Sequence, residues 1–241
     1  MIQFFAPDLL SSATLPPDES AHCIRVLRHR EGDIIQVIDG SGVLYQCRIV
    51  DADPRHTMVE IVDSADAPKF WKPTITIGVA PTKNMDRMEW MTEKCVELGV
   101  DKIVPLLCAH SERKVLKEER LRKIAISAMK QSLKTVLPQI EPLTGFAEFI
   151  ARHRNKSDEL KFIGYCDKSY PLRNLIAEYK APEDVVIIIG PEGDFSPDEV
   201  SMAVNAGFIP VTFGKSRLRT ETAALSALQI VHILNQEYEI S

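Results

Sequence analysis

Between residues 34 and 62 the hydrophobic and polar positions change over every few residues. The runs 34–38, 43–50 and 57–62 are short and β-rich, separated by Asp39-Gly40-Ser41-Gly42 and by a segment containing Asp53-Pro54. Runs punctuated by Asp-Gly and Asp-Pro turn signals predict a small antiparallel sheet or barrel. Just upstream, residues 22–30 mix Ile24, Val26 and Leu27 with basic side chains and read as a short helix or an irregular arm. Residues 64–73 hold Pro68 and Pro73 and no period, which predicts a linker.

Beyond Pro73 the pattern becomes α/β. Residues 74–80 form a buried-strand run, and Met88, Met91, Cys95 and Leu98 recur at helical spacing within 85–98, just before Gly99. A second strand is expected at 101–107, then a basic helix over about 116–136. Strand-type runs at 161–165, 185–189 and 210–213 alternate with helical stretches at 171–179, 197–206 and 222–236. Alternation of this kind predicts a largely parallel sheet covered on both faces. The division is therefore a β-rich domain over residues 1–70 and an α/β domain over 71–241.

Composition narrows the class. The 241 residues, 45% hydrophobic and 26% charged, exclude a disordered or collagenous chain. The longest aliphatic run, 185–189, falls far short of the roughly 20 residues of a membrane helix, and the first eight residues lack the features of a secretory signal. The five cysteines (23, 47, 95, 108, 166) are odd in number and include no C-x-x-C pair, which suits a reducing cytoplasm better than a disulfide framework or a zinc ribbon.

The net charge of -5 speaks against non-specific coating of nucleic acid. Its distribution changes that picture. Residues 1–70 carry 6 basic and 11 acidic side chains, leaving 23 of each in 71–241. Within the second part, residues 111–134 hold eight basic side chains against three acidic ones, and His22, Arg25, Arg28, His29 and Arg30 cluster in the acidic part. Two positive patches lie on an acidic background, as solvated faces or as phosphate contacts.

Dinucleotide, P-loop, zincin and hydrolase motifs are absent, and the six histidines show no metal-ligand spacing, so no metal site is expected. Two loops stand out. An apolar strand runs into Gly190-Pro191-Glu192-Gly193-Asp194, and Ser196-Pro197-Asp198-Glu199 then reads as a helix start with Ser as N-cap and Pro in the first turn. Further on, Val211-Thr212-Phe213-Gly214 leads through a polar loop to Arg219-Thr220-Glu221-Thr222-Ala223, at the start of a small-residue helix. Loops at strand carboxyl ends are where open α/β sheets bind ligands, and their glycines let a ligand approach the backbone. Both can equally be tight turns, the second capped by Thr220.

Together, Gly190-Pro191-Glu192-Gly193 and Leu218-Arg219-Thr220-Glu221-Thr222-Ala223 resemble the paired signature of the SPOUT methyltransferases, in particular the ribosomal RNA small subunit methyltransferase E family. His22-x-x-Arg25-Val26-Leu27-Arg28 with Gly32-Asp33, the Asp39-Gly40 turn, Lys83-x-x-x-Arg87-x-Glu89 and Glu97-Leu98-Gly99-Val100 agree, in family order. The resemblance implies a PUA-like β-barrel followed by an α/β domain with a trefoil knot, S-adenosylmethionine as cofactor, and a homodimer in the cytoplasm. It implies methylation of uridine N3 in 16S rRNA, within the 30S subunit, without metal or membrane. Carried over residue by residue, the cofactor should meet Tyr165 and Cys166, then Gly190, Pro191, Glu192 and Gly193, and finally Phe213, Gly214, Leu218, Arg219, Thr220 and Ala223. Arg219 is the candidate for stabilising the uracil oxyanion, with Glu221 orienting it or the cofactor and Glu192 a lesser candidate base. Arg25, Arg28, Lys117, Arg120, Lys123, Lys130, Gln131 and Lys134 are the expected RNA contacts.

The chain departs from the family at two places. Lys130-Gln131-Ser132-Leu133-Lys134 stands where relatives carry Glu-Gln-Ser/Cys-x-Arg, and Asp194 stands where many carry a second Gly. A non-catalytic RNA-binding module on the same scaffold, or an α/β nucleotide enzyme of another type, are the competing functions; retention of the glycines and of Arg-Thr-Glu favours the methyltransferase.

Overall fold

The computed structural model describes residues 2–165, 170, 171 and 173–240. It divides into two compact units, residues 1–70 with 126–137, and residues 71–125 with 138–241.

In the first unit, β1 (Gln3–Phe5) is followed by α1 (Leu9–Ser12), α2 (Pro17–Ala21), a π-helical turn (His22–Val26) and strands β2 (Ile34–Ile38), β3 (Val43–Asp51) and β4 (Met58–Asp66). The sheet order is β1-β2-β3-β4. β1 is parallel to β2, and the other two pairs are antiparallel. Val59 N–H donates to Ala13 O (2.9 Å) and Leu15 N–H to Thr57 O (2.9 Å), so the chain after β1 meets β4 and the sheet curls back on itself. Phe4, Leu9, Leu15, Cys23, Val37 and Cys47 fill its core. Asp39 holds the β2–β3 turn, accepting from Ser41 N–H (2.8 Å), Ser41 Oγ (2.7 Å) and Tyr45 O–H (3.0 Å). Burial pushes its carboxyl up, but these hydrogen bonds prevail and hold it below the ordinary value.

One expectation needs correction here. β4 runs to Asp66, so the first residues of the expected linker are strand, closed by Ala67 N–H to Gly42 O at 2.7 Å. A register shift between Gln46 and Cys47 breaks the alternation, and residues 60–66 are all exposed; such a strand carries no hydrophobic period. β1 is too short to announce itself. Residues 126–137 also pack with this unit: Leu137 N–H donates to Gly40 O (3.0 Å), Gly42 N–H to Thr135 O (3.1 Å), and Thr135 Oγ1 to Ala67 O.

From residue 71 onward the order is β5 (Ile75–Val79), α3 (Met85–Leu98), β6 (Lys102–Leu107), α4 (Glu118–Gln131, whose residues from 126 on belong to the first unit), β7 (Gln139–Ile140), β8 (Thr144–Gly145), α5 (Phe146–His153), β9 (Glu159–Gly164), α6 (Leu175–Glu178), β10 (Asp184–Ile189), α7 (Pro197–Asn205), β11 (Ile209–Val211) and α8 (Thr220–Ile240). The sheet order is β11-β9-β10-β5-β6-β7, with β8 also on β6, and every pair is parallel. Ile188 shares one hydrophobic cluster with Phe146 and Phe149 of α5 and Val200 and Ala203 of α7. Ile187 and Ile189 project to the other face and are equally buried, where α8 lies along β5 and β10 and packs with α3.

Helix limits shift for local reasons. α4 stops at Gln131 rather than near residue 136, because Leu133 turns left-handed (φ 54°) and Lys134 N–H closes on Met129 O at 3.0 Å. α8 begins at Thr220, two residues before the expected start, and runs to Ile240. α5 leaves little trace in the sequence: Phe146, Phe149, Ile150 and His153 form its buried face, but two turns without a side-chain N-cap make a weak pattern.

Cys23, Cys47, Cys95 and Cys108 are buried, free thiols. Burial raises the first two to about 11 and the last two to about 12. Thiolate is the reactive form, so at pH 8 on the order of a thousandth or less of each is reactive. Peptide mapping after alkylation of the native protein at pH 8 should find all four unmodified and all four labelled after denaturation; rapid native labelling of Cys95 or Cys108 would contradict this packing.

Candidate functional site

The register of the parallel sheet places the site. Ile189 at the end of β10 is opposite Gly164 at the end of β9, and Gly164 is opposite Val211 at the end of β11. The loops that leave these strands therefore emerge side by side at the carboxyl edge, which is the ligand edge of an open α/β sheet.

The loop after β10 is held from several sides. Ala80 N–H donates to Ile189 O (3.0 Å) and Lys83 N–H to Glu192 Oε1 (3.1 Å). His110 Nδ1 lies 3.1 Å from Gly193 O and 3.0 Å from Asp194 O; carbonyls only accept, so this nitrogen carries the proton. Asp194 N–H donates to Pro191 O (2.9 Å), and Asp194 adopts φ 63°, a left-handed conformation that Asp tolerates better than most side chains. α7 then opens with the full capping box: Ser196 Oγ accepts from Glu199 N–H (3.3 Å), and Glu199 Oε2 accepts from Ser196 N–H (2.9 Å). The other Glu199 oxygen accepts from Ala109 N–H at 2.8 Å, fastening the chain after β6 to the same loop.

The loop after β11 passes close to β9. A Cβ on Gly164 would stand 2.9 Å from the Phe213 ring, so only glycine lets that ring lie there. Phe213 and Leu218 are half-buried, and Gly214, Lys215, Ser216, Arg217 and Arg219 are exposed. Thr220 is buried, and its hydroxyl donates to Gly190 O at 3.0 Å. This hydroxyl joins the two loops instead of capping α8, whose first turn forms through Ala223 N–H to Arg219 O (2.8 Å).

Beside this junction is an open cleft of about 610 Å³, lined by Asp86, Arg87 and Trp90 of α3 and by Arg217, Leu218, Arg219, Glu221 and Thr222. Glu221 is buried, and its carboxylate lies 3.9 Å from Arg87 Nε. The sequence assigns Glu221 to orient Arg219 or the cofactor; in the structure its ion pair is with Arg87. Among the described residues no carboxylate is within ion-pairing distance of Arg219. Glu192 is exposed and engaged by the Lys83 amide.

The remaining expected residues are placed as follows. Gly190 and Pro191 are buried, Gly193 is exposed, and Ala223 is partly buried in the first turn of α8. Tyr165 is half-buried, edge-on to Tyr170 with ring centroids 6.1 Å apart. Cys166 lies outside the described residues. Arg25, Arg28, Lys117, Lys123 and Gln131 are exposed. Arg120 Nε is 2.5 Å from Glu89 Oε1, and Lys134 Nζ lies 5.6 Å from the centre of the Phe70 ring. Lys130 requires correction as a phosphate contact: its Nζ is 2.5 Å from Glu19 Oε1 and only 17% of its side chain is exposed, so it is a structural ion pair of the first unit. Of the residues that sequence reasoning missed, Arg87 carried a signal, in its spacing from Lys83. Trp90, Arg217 and His110 carried none, because their place in the site depends on tertiary packing.

Residues 71–232 match the model of an RNA methyltransferase domain, and residues 15–62 that of an RNA methyltransferase PUA domain. The crystal structure of a "probable rRNA-methyltransferase" from Porphyromonas gingivalis superposes with a TM-score of 0.93 at 45% identity, covering 99% of this chain and 100% of that one. A ribosomal RNA small subunit methyltransferase E from Neisseria gonorrhoeae, bound to S-adenosyl methionine, gives a TM-score of 0.84 at 30% identity, with 98% of each chain covered. The ribosomal RNA small subunit methyltransferase E of Buchnera aphidicola subsp. Acyrthosiphon pisum is 28% identical over 234 residues, covering 92% of this chain and 88% of its own.

The Thr220–Gly190 bond is directly testable. Thr220→Val keeps the side-chain shape but leaves a buried carbonyl without its partner, and should cost about 1–3 kcal/mol in chemical denaturation. Thr220→Ser should recover most of that; equal stability of Thr220→Val and the parent would show that the bond carries nothing.

Proposed function

The chain belongs to the ribosomal RNA small subunit methyltransferase E family of RNA methyltransferases, and on that premise we propose that it methylates N3 of one uridine in 16S rRNA, using S-adenosylmethionine. The observation that carries the reading is the Thr220–Gly190 hydrogen bond, which joins the two glycine-bearing loops at the carboxyl ends of neighbouring parallel strands. The residues present fit the cofactor. Nothing lies within 4 Å of where a Gly214 side chain would stand, so that backbone is open to close approach. Tyr165, Phe213 and Leu218, all half-buried, offer apolar surface for the adenine and the methionine chain.

When bound, S-adenosylmethionine supplies a methyl group activated on a sulfonium, and its transfer leaves the demethylated sulfide. The protein's own tasks are positioning and charge. Uracil N3–H is a weak acid and must lose its proton before or during attack. Arg219, exposed beside the cleft with no carboxylate partner among the described residues, can face the negative charge that develops on the uracil oxygens. Arg87 neutralises the buried Glu221, so this carboxylate positions Arg87 and the start of α8 rather than acting as the base. Arg25, Arg28, Lys117 and Lys123 are exposed cations suited to phosphate contacts, which fix position more than sequence. The family's trefoil knot would be carried by the loops after β9, β10 and β11. Self-association as a homodimer is part of the same proposal and rests on the resemblance to the family. No helix among the described residues is long and apolar enough to cross a membrane, and a ribosomal substrate favours the cytoplasm.

Calorimetry with S-adenosylmethionine or its demethylated product should show saturable binding, and its absence would reject this function. In a strain lacking the gene, mass spectrometry of 16S rRNA should show loss of 3-methyluridine; an unchanged level would reject the target. Arg219→Ala should lower turnover by roughly 10²–10³-fold, as loss of an oxyanion donor does, with little change in cofactor affinity. Equal losses in both would make Arg219 a cofactor clamp only.

A further inference from the structure

Trp90 is 45% exposed within the cleft, whereas the chain's other tryptophan, Trp71, is 7% exposed. Among the described residues no aromatic ring stacks on Trp90, and the side chains around it are mostly charged. A large apolar ring held open among charges on a regular helix is unusual, because burying it would be favourable. Its neighbours in the cleft are Arg87, Arg217 and Arg219. Glu221 balances Arg87, and no carboxylate lies within ion-pairing distance of Arg217 or Arg219 among the described residues. Asp86 also lines the cleft, in the first turn of α3. The cleft is bordered by the first turns of α3 (14 residues) and α8 (21 residues), whose positive dipole ends favour an anion. Its volume of about 610 Å³ falls within the range of small-ligand pockets.

Resting on the methyltransferase function above, we propose that this cleft seats one pyrimidine nucleotide of the RNA, with the Trp90 indole as the stacking platform for its base and Arg217 as a contact for its phosphate. An unpaired or turned-out base exposes a π-face that a protein aromatic ring can replace. An Arg fork matches phosphate geometry. The indole and the guanidinium thus recognise the two ends of the same nucleotide, a pairing that a merely solvated helix face does not require.

The test uses a short uridine-containing single-stranded RNA and the full-length protein without cofactor. The emission difference between the parent and Trp90→Phe isolates the signal of Trp90, and the RNA should quench it saturably. In turnover assays, Trp90→Ala should raise KM for RNA about 5- to 150-fold, the usual worth of one base–aromatic stack, with kcat changed little. Trp90→Phe should keep most of the parent's affinity, and calorimetry should find cofactor binding unchanged in both variants. No quenching, or an unchanged KM in Trp90→Ala, would overturn the proposal while parental cofactor binding left the methyltransferase function standing. Dissociation of a dimer by Trp90→Ala in light scattering, without loss of RNA affinity, would also overturn it and assign the indole to a second copy of the chain.

Discussion

The site depends on one buried hydrogen bond, from the hydroxyl of Thr220 to the carbonyl of Gly190. Parallel pairing sets the ends of β9, β10 and β11 in one row, but alignment alone leaves the emerging loops independent. A strand-end carbonyl buried away from water needs a donor. Here that donor comes from the first residue of α8, so satisfying one loop fixes where the last helix starts. The position of Glu221, and through it that of Arg87, follows from this start.

Charge is arranged in the same local manner. The net excess of acid is confined to residues 1–70, and several cations that look free along the chain are paired in space: Lys130 with Glu19, Arg120 with Glu89, Arg87 with Glu221. In each pair the carboxylate is largely shielded from water, and together the pairs decide which cations remain for an anionic ligand. Lys130 is the instructive case. It stands where relatives carry an acid, and Glu19 meets it, so the departure from the family pattern has a structural partner.

Much of the α/β unit is legible along the chain because its signals are strong and local. The helical spacing of Met88, Met91 and Cys95, the aliphatic run of β10 and the Ser196-Pro197 start of α7 each predict their element. Legibility fails where an element is short or where tertiary contacts set its limits. β1 has three residues, α5 has two turns, and the exposed end of β4 is a strand only because β3 pairs with it. The attachment of residues 126–137 to the first unit rests on backbone bonds to Gly40 and Gly42, which no periodicity encodes. At the site, the glycine loops and Arg219-Thr220-Glu221 are visible as motifs. The partners they find, Gly190 for Thr220 and Arg87 for Glu221, are not, and Trp90 is silent because surface tryptophans carry no pattern.

Hydrogen exchange followed by mass spectrometry, with and without S-adenosylmethionine, tests the central claim most directly. If the Thr220–Gly190 bond makes the loops one binding element, cofactor should protect the amides of residues 190–195 and 213–222 together, and Thr220→Val should uncouple them. Protection of one loop alone, or joint protection that survives Thr220→Val unchanged, would contradict the account.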